Sequence, residues 1–99
     1  MSAYILVQVD VHDPEGYERY RGVVLPSITA YGGRFLVRGG PIETLEGTWR
    51  PPRLVILEFR DAERARAWWA SPEYAGPKEM RLRAARSEMI LVEGAMPAA

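Results

Sequence analysis

The chain opens with strict alternation. In AYILVQVDV, Ala3, Ile5, Val7, Val9 and Val11 fall on one side, and Tyr4, Leu6, Gln8 and Asp10 on the other. This period of two predicts a strand with one wholly apolar face. The period then changes: Tyr17, Tyr20, Val24, Ile28 and Tyr31 follow at steps of three and four, the spacing of a buried helical stripe. Asp13 suits the N-cap, Pro14 the first helical position and Glu15 the positive end of the helix dipole. Pro26 lacks an N–H and crowds the carbonyl of Gly22, which predicts a kink or break near Leu25. Gly32-Gly33 ends the helix, one of the pair in the left-handed region.

RFLVR (34–38) and RLVILEF (53–59) read as the second and third strands. The segment Gly39–Pro52 between them is long for a hairpin connection, and a brief extra strand is expected near Ile42 to Leu45. Asp61 caps a second helix over AERARAWWA, and Ser71-Pro72 repeats the cap-plus-proline signal for a further helical piece running to Arg86. Gly76-Pro77 is expected to interrupt that piece. EMILVEG (88–94) is the last strand. The order β-α-β-β-α-β predicts an α+β, ferredoxin-like fold: a four-stranded antiparallel sheet with helices on one face and the first and third strands at its centre. Residues 1–94 form a single domain in this reading, and 95–99 a loose C-terminal tail.

Helices cover only one face of such a sheet. The other face would carry Tyr4, Leu6, Gln8, Asp10, Arg34, Leu36, Arg38, Leu54, Ile56 and Glu58, with either Ile90 and Val92 or Met89, Leu91 and Glu93 from the last strand. Left in water, its leucines and isoleucines would make an apolar patch of a kind soluble monomers rarely expose. A second copy of the chain, packed sheet to sheet, is the simplest cover. Strict alternation also puts Arg38 and Glu58 on this same face. They form either a self-neutralising pair or an anion site with Glu58 as orienting group or base.

Composition narrows the partners. Lys plus Arg and Asp plus Glu each number 13, so the formal net charge is zero and gives no global pull on nucleic acid or an anionic membrane. All but one of the basic residues are arginine, a pattern that codon bias explains as readily as anion recognition. The short basic run RLRAAR (81–86) reads as a solvated helix face. No apolar run approaches the ~20 residues of a membrane helix, and MSAYILVQVD lacks the basic start of a signal peptide. Cysteine is absent, which removes thiolate chemistry and fits a cytoplasmic setting. With one histidine, His12, no cofactor or metal is expected.

The segments DPEGYERY, YGGRFLVRGG, LEGTWRPPRLVILEF, ARAWWASPEY and LRAARSEMILVEG resemble, in order, the domain-of-unknown-function family numbered 1330, within the dimeric α/β-barrel superfamily. The resemblance covers roughly Tyr4 to Gly94 and implies a ferredoxin-like subunit in a homodimer, with no assigned reaction. Related families include cofactor-free monooxygenases, haem-degrading enzymes, chlorite dismutases and muconolactone isomerases, which is an analogy of fold alone. The family's motif residues fall on Arg38, Trp68, Ser71 to Tyr74 and Arg81. Gly76-Pro77 departs from the pattern and puts the placement of Arg81 relative to Tyr74 in question.

Two function classes stand side by side. In one, the protein is an enzyme, a cofactor-free oxygenase or isomerase. His12 or Glu58 moves a proton; Arg38, Trp69, Tyr74 and Arg81 hold an apolar or carboxylated compound. In the other, the same dimer binds a ligand or partner without turnover. Each residue also has a plain structural reading: His12 an exposed loop residue, Trp68 and Trp69 one in the core and one at an interface, Glu58 an ion-pair partner.

Overall fold

The computed structural model describes residues 1–95; the expected tail at 96–99 lies outside the described residues. The elements run β1 (Ala3–Val11), α1 (Pro14–Val23), α2 (Leu25–Ala30), β2 (Arg34–Arg38), β3 (Leu54–Phe59), α3 (Ala62–Trp69), α4 (Pro72–Ala84) and β4 (Ala85–Glu93). The four strands form one antiparallel sheet in the order β2-β3-β1-β4, with β1 and β3 central. This is the expected ferredoxin-like α+β fold.

The local signals act where the sequence puts them. Asp13 accepts from the Gly16 N–H, Asp61 from the Arg64 N–H and Ser71 from the Tyr74 N–H, each satisfying a free donor of a first helical turn. The helix break falls at Val24, so α1 and α2 are two halves of one stripe parted by Pro26. Three expectations fail. No strand forms at Ile42 to Leu45; the Gly39–Pro52 segment is irregular, held by Thr44 Oγ1 donating to Trp49 O and Trp49 Nε1 donating to Gln8 Oε1, at 2.7 and 2.8 Å. Helix α4 runs unbroken through Gly76-Pro77. The carbonyl freed by Pro77 belongs to Glu73, an exposed residue, so water can replace the lost bond. Strand β4 starts at Ala85 rather than Glu88, because it pairs with β1 back to Val11.

The core lies between sheet and helices. Ile5, Val7, Val9, Val55, Leu57 and Phe59 meet Val24, Ile28, Trp68 and Tyr74 there. Trp68 is 1% exposed, with Phe59 and Tyr74 rings 5.5 and 4.0 Å from its own. Of the two options for the last strand, Met89 and Leu91 pack on the core, while Ile90 and Val92 pair with Leu6 and Tyr4 and stay exposed. The outer face therefore presents Leu36, Ile90 and Val92 at 44, 57 and 42% exposure, with Leu6, Leu54 and Ile56 half-buried among them.

Gly33 is fixed by proximity. A Cβ there would stand 2.5 Å from the Phe59 ring and 2.9 Å from Ile28 Cγ2. Gly22, inside α1, has open space around it. Gly33→Ala is thus expected to destabilise the fold by about 1–3 kcal/mol, whereas Gly22→Ala should stabilise it by about 0.4–1 kcal/mol. Urea unfolding of both variants checks the opposite signs.

Candidate functional site

The site is built from two helices and one strand. On α4, Tyr74 and Arg81 are two turns apart and share a face. Tyr74 is fully buried and Arg81 5% exposed, and Arg81 Nε donates to Tyr74 Oη at 3.2 Å. The Tyr74 ring stacks on Trp68, whose Nε1 donates to Ser27 Oγ at 3.1 Å; Ser27 in turn donates to Val24 O. The phenol that orients Arg81 is therefore locked at its other end. From α1 come Tyr17, Tyr20 and Arg21, and from β2 come Phe35 and Arg38. Together with Arg81 they line a cavity of about 20 Å³ between sheet and helices, room for about one water.

The lining has three arginines and no acidic residue. Arg21 Nη1 pairs with Glu18 at 2.8 Å, but its Nε is buried without a hydrogen-bond partner. Arg38 Nη2 donates to Arg21 O at 2.7 Å and its guanidinium lies 4.1 Å from the centre of the Phe35 ring. That carbonyl belongs to the last turn of α1, where carbonyls run short of donors, so Arg38 also serves as a C-terminal cap. Among the described residues no carboxylate comes within 4 Å of Arg81. A guanidinium cannot lose its proton in a protein, and burying an unpaired charge costs several kcal/mol.

The tyrosines answer as donors. Burial, then the neighbouring Tyr74 phenol, pushes the Tyr20 hydroxyl far above its ordinary value. Burial raises Tyr17 as well, against the pull of Arg53, Arg21, Arg81 and Arg38. Both stay protonated at neutral pH, Tyr20 with its hydroxyl hydrogen-bonded to that of Tyr74.

The sequence-predicted residues separate. Arg38 and Glu58 do not share a face. Phe35 opposes Leu57, Val37 opposes Ile56 and Arg38 opposes Val55, so a β-bulge at Leu36 inserts one residue and reverses the alternation beyond it. Arg34 stays outside, bonded to Glu58 at 2.7 Å, and Arg38 turns inward. The Arg34 hydrogen bond holds the Glu58 carboxyl below its usual range; Glu58 is an ion-pair partner on the outer face and no base for the cavity. His12 is exposed, its backbone N–H bonded to Ala84 O, and it lines no part of the cavity. Trp69 is 48% exposed, with Lys78 Nζ 3.8 Å from the centre of its ring, and lines no part of the small cavity. Tyr74, expected as a pocket wall, is a core residue whose hydroxyl reaches the site. Sequence reasoning took Tyr17 and Tyr20 for core and passed over Arg21. The signal was the Arg following Tyr20 at the edge of an apolar stripe. Among the described residues no group of three His, Cys, Asp or Glu is arranged to hold a metal.

A ferredoxin-like sheet whose helical side encloses arginines and tyrosines defines the class. The chain belongs to the family described as domain of unknown function (DUF1330), whose model matches residues 2–95. No curated protein matches it. Among solved structures it is similar to the RPA0582 protein of unknown function from Rhodopseudomonas palustris, with TM-score 0.75 and 19% identity over 97% of this chain and 84% of that one. It is similar to a dimeric ferredoxin-like protein of unknown function from Jannaschia sp. CCS1, with TM-score 0.72 and 15% identity over 95% of this chain and 100% of that one. It is also similar to SnoaB, a cofactor-independent oxygenase from Streptomyces nogalater, with TM-score 0.65 and 15% identity over 97% and 95% of the two chains. Likeness at these identities is likeness of fold.

The raised tyrosines carry a sign. Above the ordinary value of 10.0 the unfolded chain releases the Tyr20 proton and the folded chain keeps it, so stability is lost as pH rises through that range. Thermal midpoints measured from pH 8 to pH 11 should fall above about pH 10 in the natural protein and fall less steeply in Tyr20→Phe.

Proposed function

We propose that this protein is a homodimer that binds a small aromatic or otherwise apolar carboxylate, with Arg81 as the anchor. The single observation that carries the reading is Arg81 itself: 5% exposed, oriented by Tyr74, and without an acidic partner among the described residues. An anion would neutralise it, and the Tyr17 and Tyr20 hydroxyls and the Arg38 guanidinium stand around the same space as further donors. At about 20 Å³ the cavity has room for no more than about one water, so the ligand's body must lie beyond it. The dimer is supported by the oily outer face and by the dimeric neighbour of the same fold.

A second reading, a cofactor-free oxygenase or isomerase, is favoured by one observation. Protonated Tyr20 beside an arginine is suited to stabilise an enolate or other oxyanion of a bound substrate. Neither His12 nor Glu58 reaches the cavity, so the proton would have to leave to the ligand, to water or to a group from the partner subunit. Binding without turnover needs none of these, and it is the reading the geometry supports best.

Titration calorimetry with benzoate tests the anchor. Arg81→Met should weaken binding by about 2 kcal/mol or more, roughly thirtyfold. The same variant should leave the free protein as stable as before or more so, since it removes a buried, unpaired charge. Glu58→Gln should change neither. Equal benzoate affinity in Arg81→Met refutes the assignment. Leu36→Asp combined with Ile90→Asp should convert a two-chain species to single chains in light scattering.

A further inference from the structure

Arg81 borders a second space. It also lines an open groove of about 480 Å³ between α3, α4 and β4. That volume falls within the usual ~300–1,000 Å³ range for small-molecule sites. Its exposed apolar walls are Trp69 and Leu82, at 48 and 56% exposure. Its floor is Ile5 and Ala65, both buried. Its polar lining residues are Arg66, Arg81 and Ser87. The Ser87 hydroxyl is buried and has no hydrogen-bond partner. A buried guanidinium without a carboxylate partner and a buried hydroxyl without any partner thus line the same groove. A buried polar atom without a partner is rare enough in folded proteins to require a cause.

We infer that the groove takes an amphipathic monocarboxylate head first: the carboxylate pairs with Arg81 and accepts from Ser87, and an extended apolar or biaryl tail lies over Trp69 and Leu82. This rests on the anion reading of Arg81 and adds to it the ligand's shape and its second donor. The small cavity then holds a water or a substituent. Arg66 also lines the groove and adds to the attraction for an anion. Lys78, stacked on the Trp69 ring, adds a second positive charge to the same region.

The probes are acetate, benzoate and 4-biphenylcarboxylate, titrated calorimetrically into the full chain and into Arg81→Met, Ser87→Ala, Trp69→Ala and Leu82→Ser. Trp69 and Leu82 are about half exposed, so their variants should fold. In the natural protein the biphenyl acid should bind about tenfold or more tightly than benzoate, because a second ring adds apolar area to the contact. Trp69→Ala and Leu82→Ser should remove that gain and leave acetate and benzoate binding unchanged. Ser87→Ala should weaken all three acids by about the same few-fold factor, as expected for one hydrogen bond. If benzoate and the biphenyl acid bind equally, or if the two wall variants keep the gain, the groove is not the tail site while the Arg81 anchor stands. If no acid binds, or binding is unchanged in Arg81→Met, the anchor fails and the groove with it. If Leu82→Ser dissociates the dimer, the groove is a subunit contact and the inference is overturned.

Discussion

A guanidinium keeps its charge throughout the pH range in which proteins fold, and Arg81 carries that charge into the interior with a tyrosine, not a carboxylate, as its partner. Much of the helical layer is arranged around this arginine. Tyr74 is pinned by Trp68, Trp68 by Ser27, and Ser27 by the carbonyl at the Val24 break. The break that Pro26 imposes on the first helical stripe is thus linked, through the side chains of Ser27, Trp68 and Tyr74, to the direction in which Arg81 points. Tyr17 and Tyr20 complete a wall of phenols that burial keeps protonated. The interior is a donor-rich, acid-free space, suited to an anion and ill suited to a cation.

The sheet adds a second constraint. Its inner face is core; its outer face joins Leu36, Ile90 and Val92 to an Arg34–Glu58 pair at 2.7 Å. The irregular segment between β2 and β3 adds Leu45 and Trp49, at 85 and 64% exposure, and Trp49 reaches back to Gln8 on the outer face. Such a surface combines apolar area with already paired charges, as a subunit contact requires. Outer face and interior site are therefore distinct regions, one suited to the partner and one to the ligand.

Most of the fold was legible because local signals agreed with one another. The alternation of Ala3 to Val11, the caps at Asp13, Asp61 and Ser71, and the Pro26 break all appear where the sequence puts them. The site was less legible, for two physical reasons. A bulge has no residue signature in RFLVR, yet one inserted residue moves Arg38 from the outer face to the cavity and parts it from Glu58. Tertiary anchoring also overrides propensity in α4. Tyr74 and Arg81, buried on either side of Gly76-Pro77, keep the helix continuous across a pair that locally disfavours it. Arg81 was marked as a ligand residue from the sequence, but its isolation from every described carboxylate is a property of three dimensions. Ser87 carried no signal at all, since a serine in a strand says nothing about where its hydroxyl lies.

The central claim is that the Arg81 charge is completed by an anion. Anomalous diffraction from crystals soaked in sodium bromide tests it without assuming any ligand. The account predicts a bromide peak in contact with the Arg81 guanidinium. Ordered water alone around that guanidinium, with bromide bound only at exposed arginines, would contradict it.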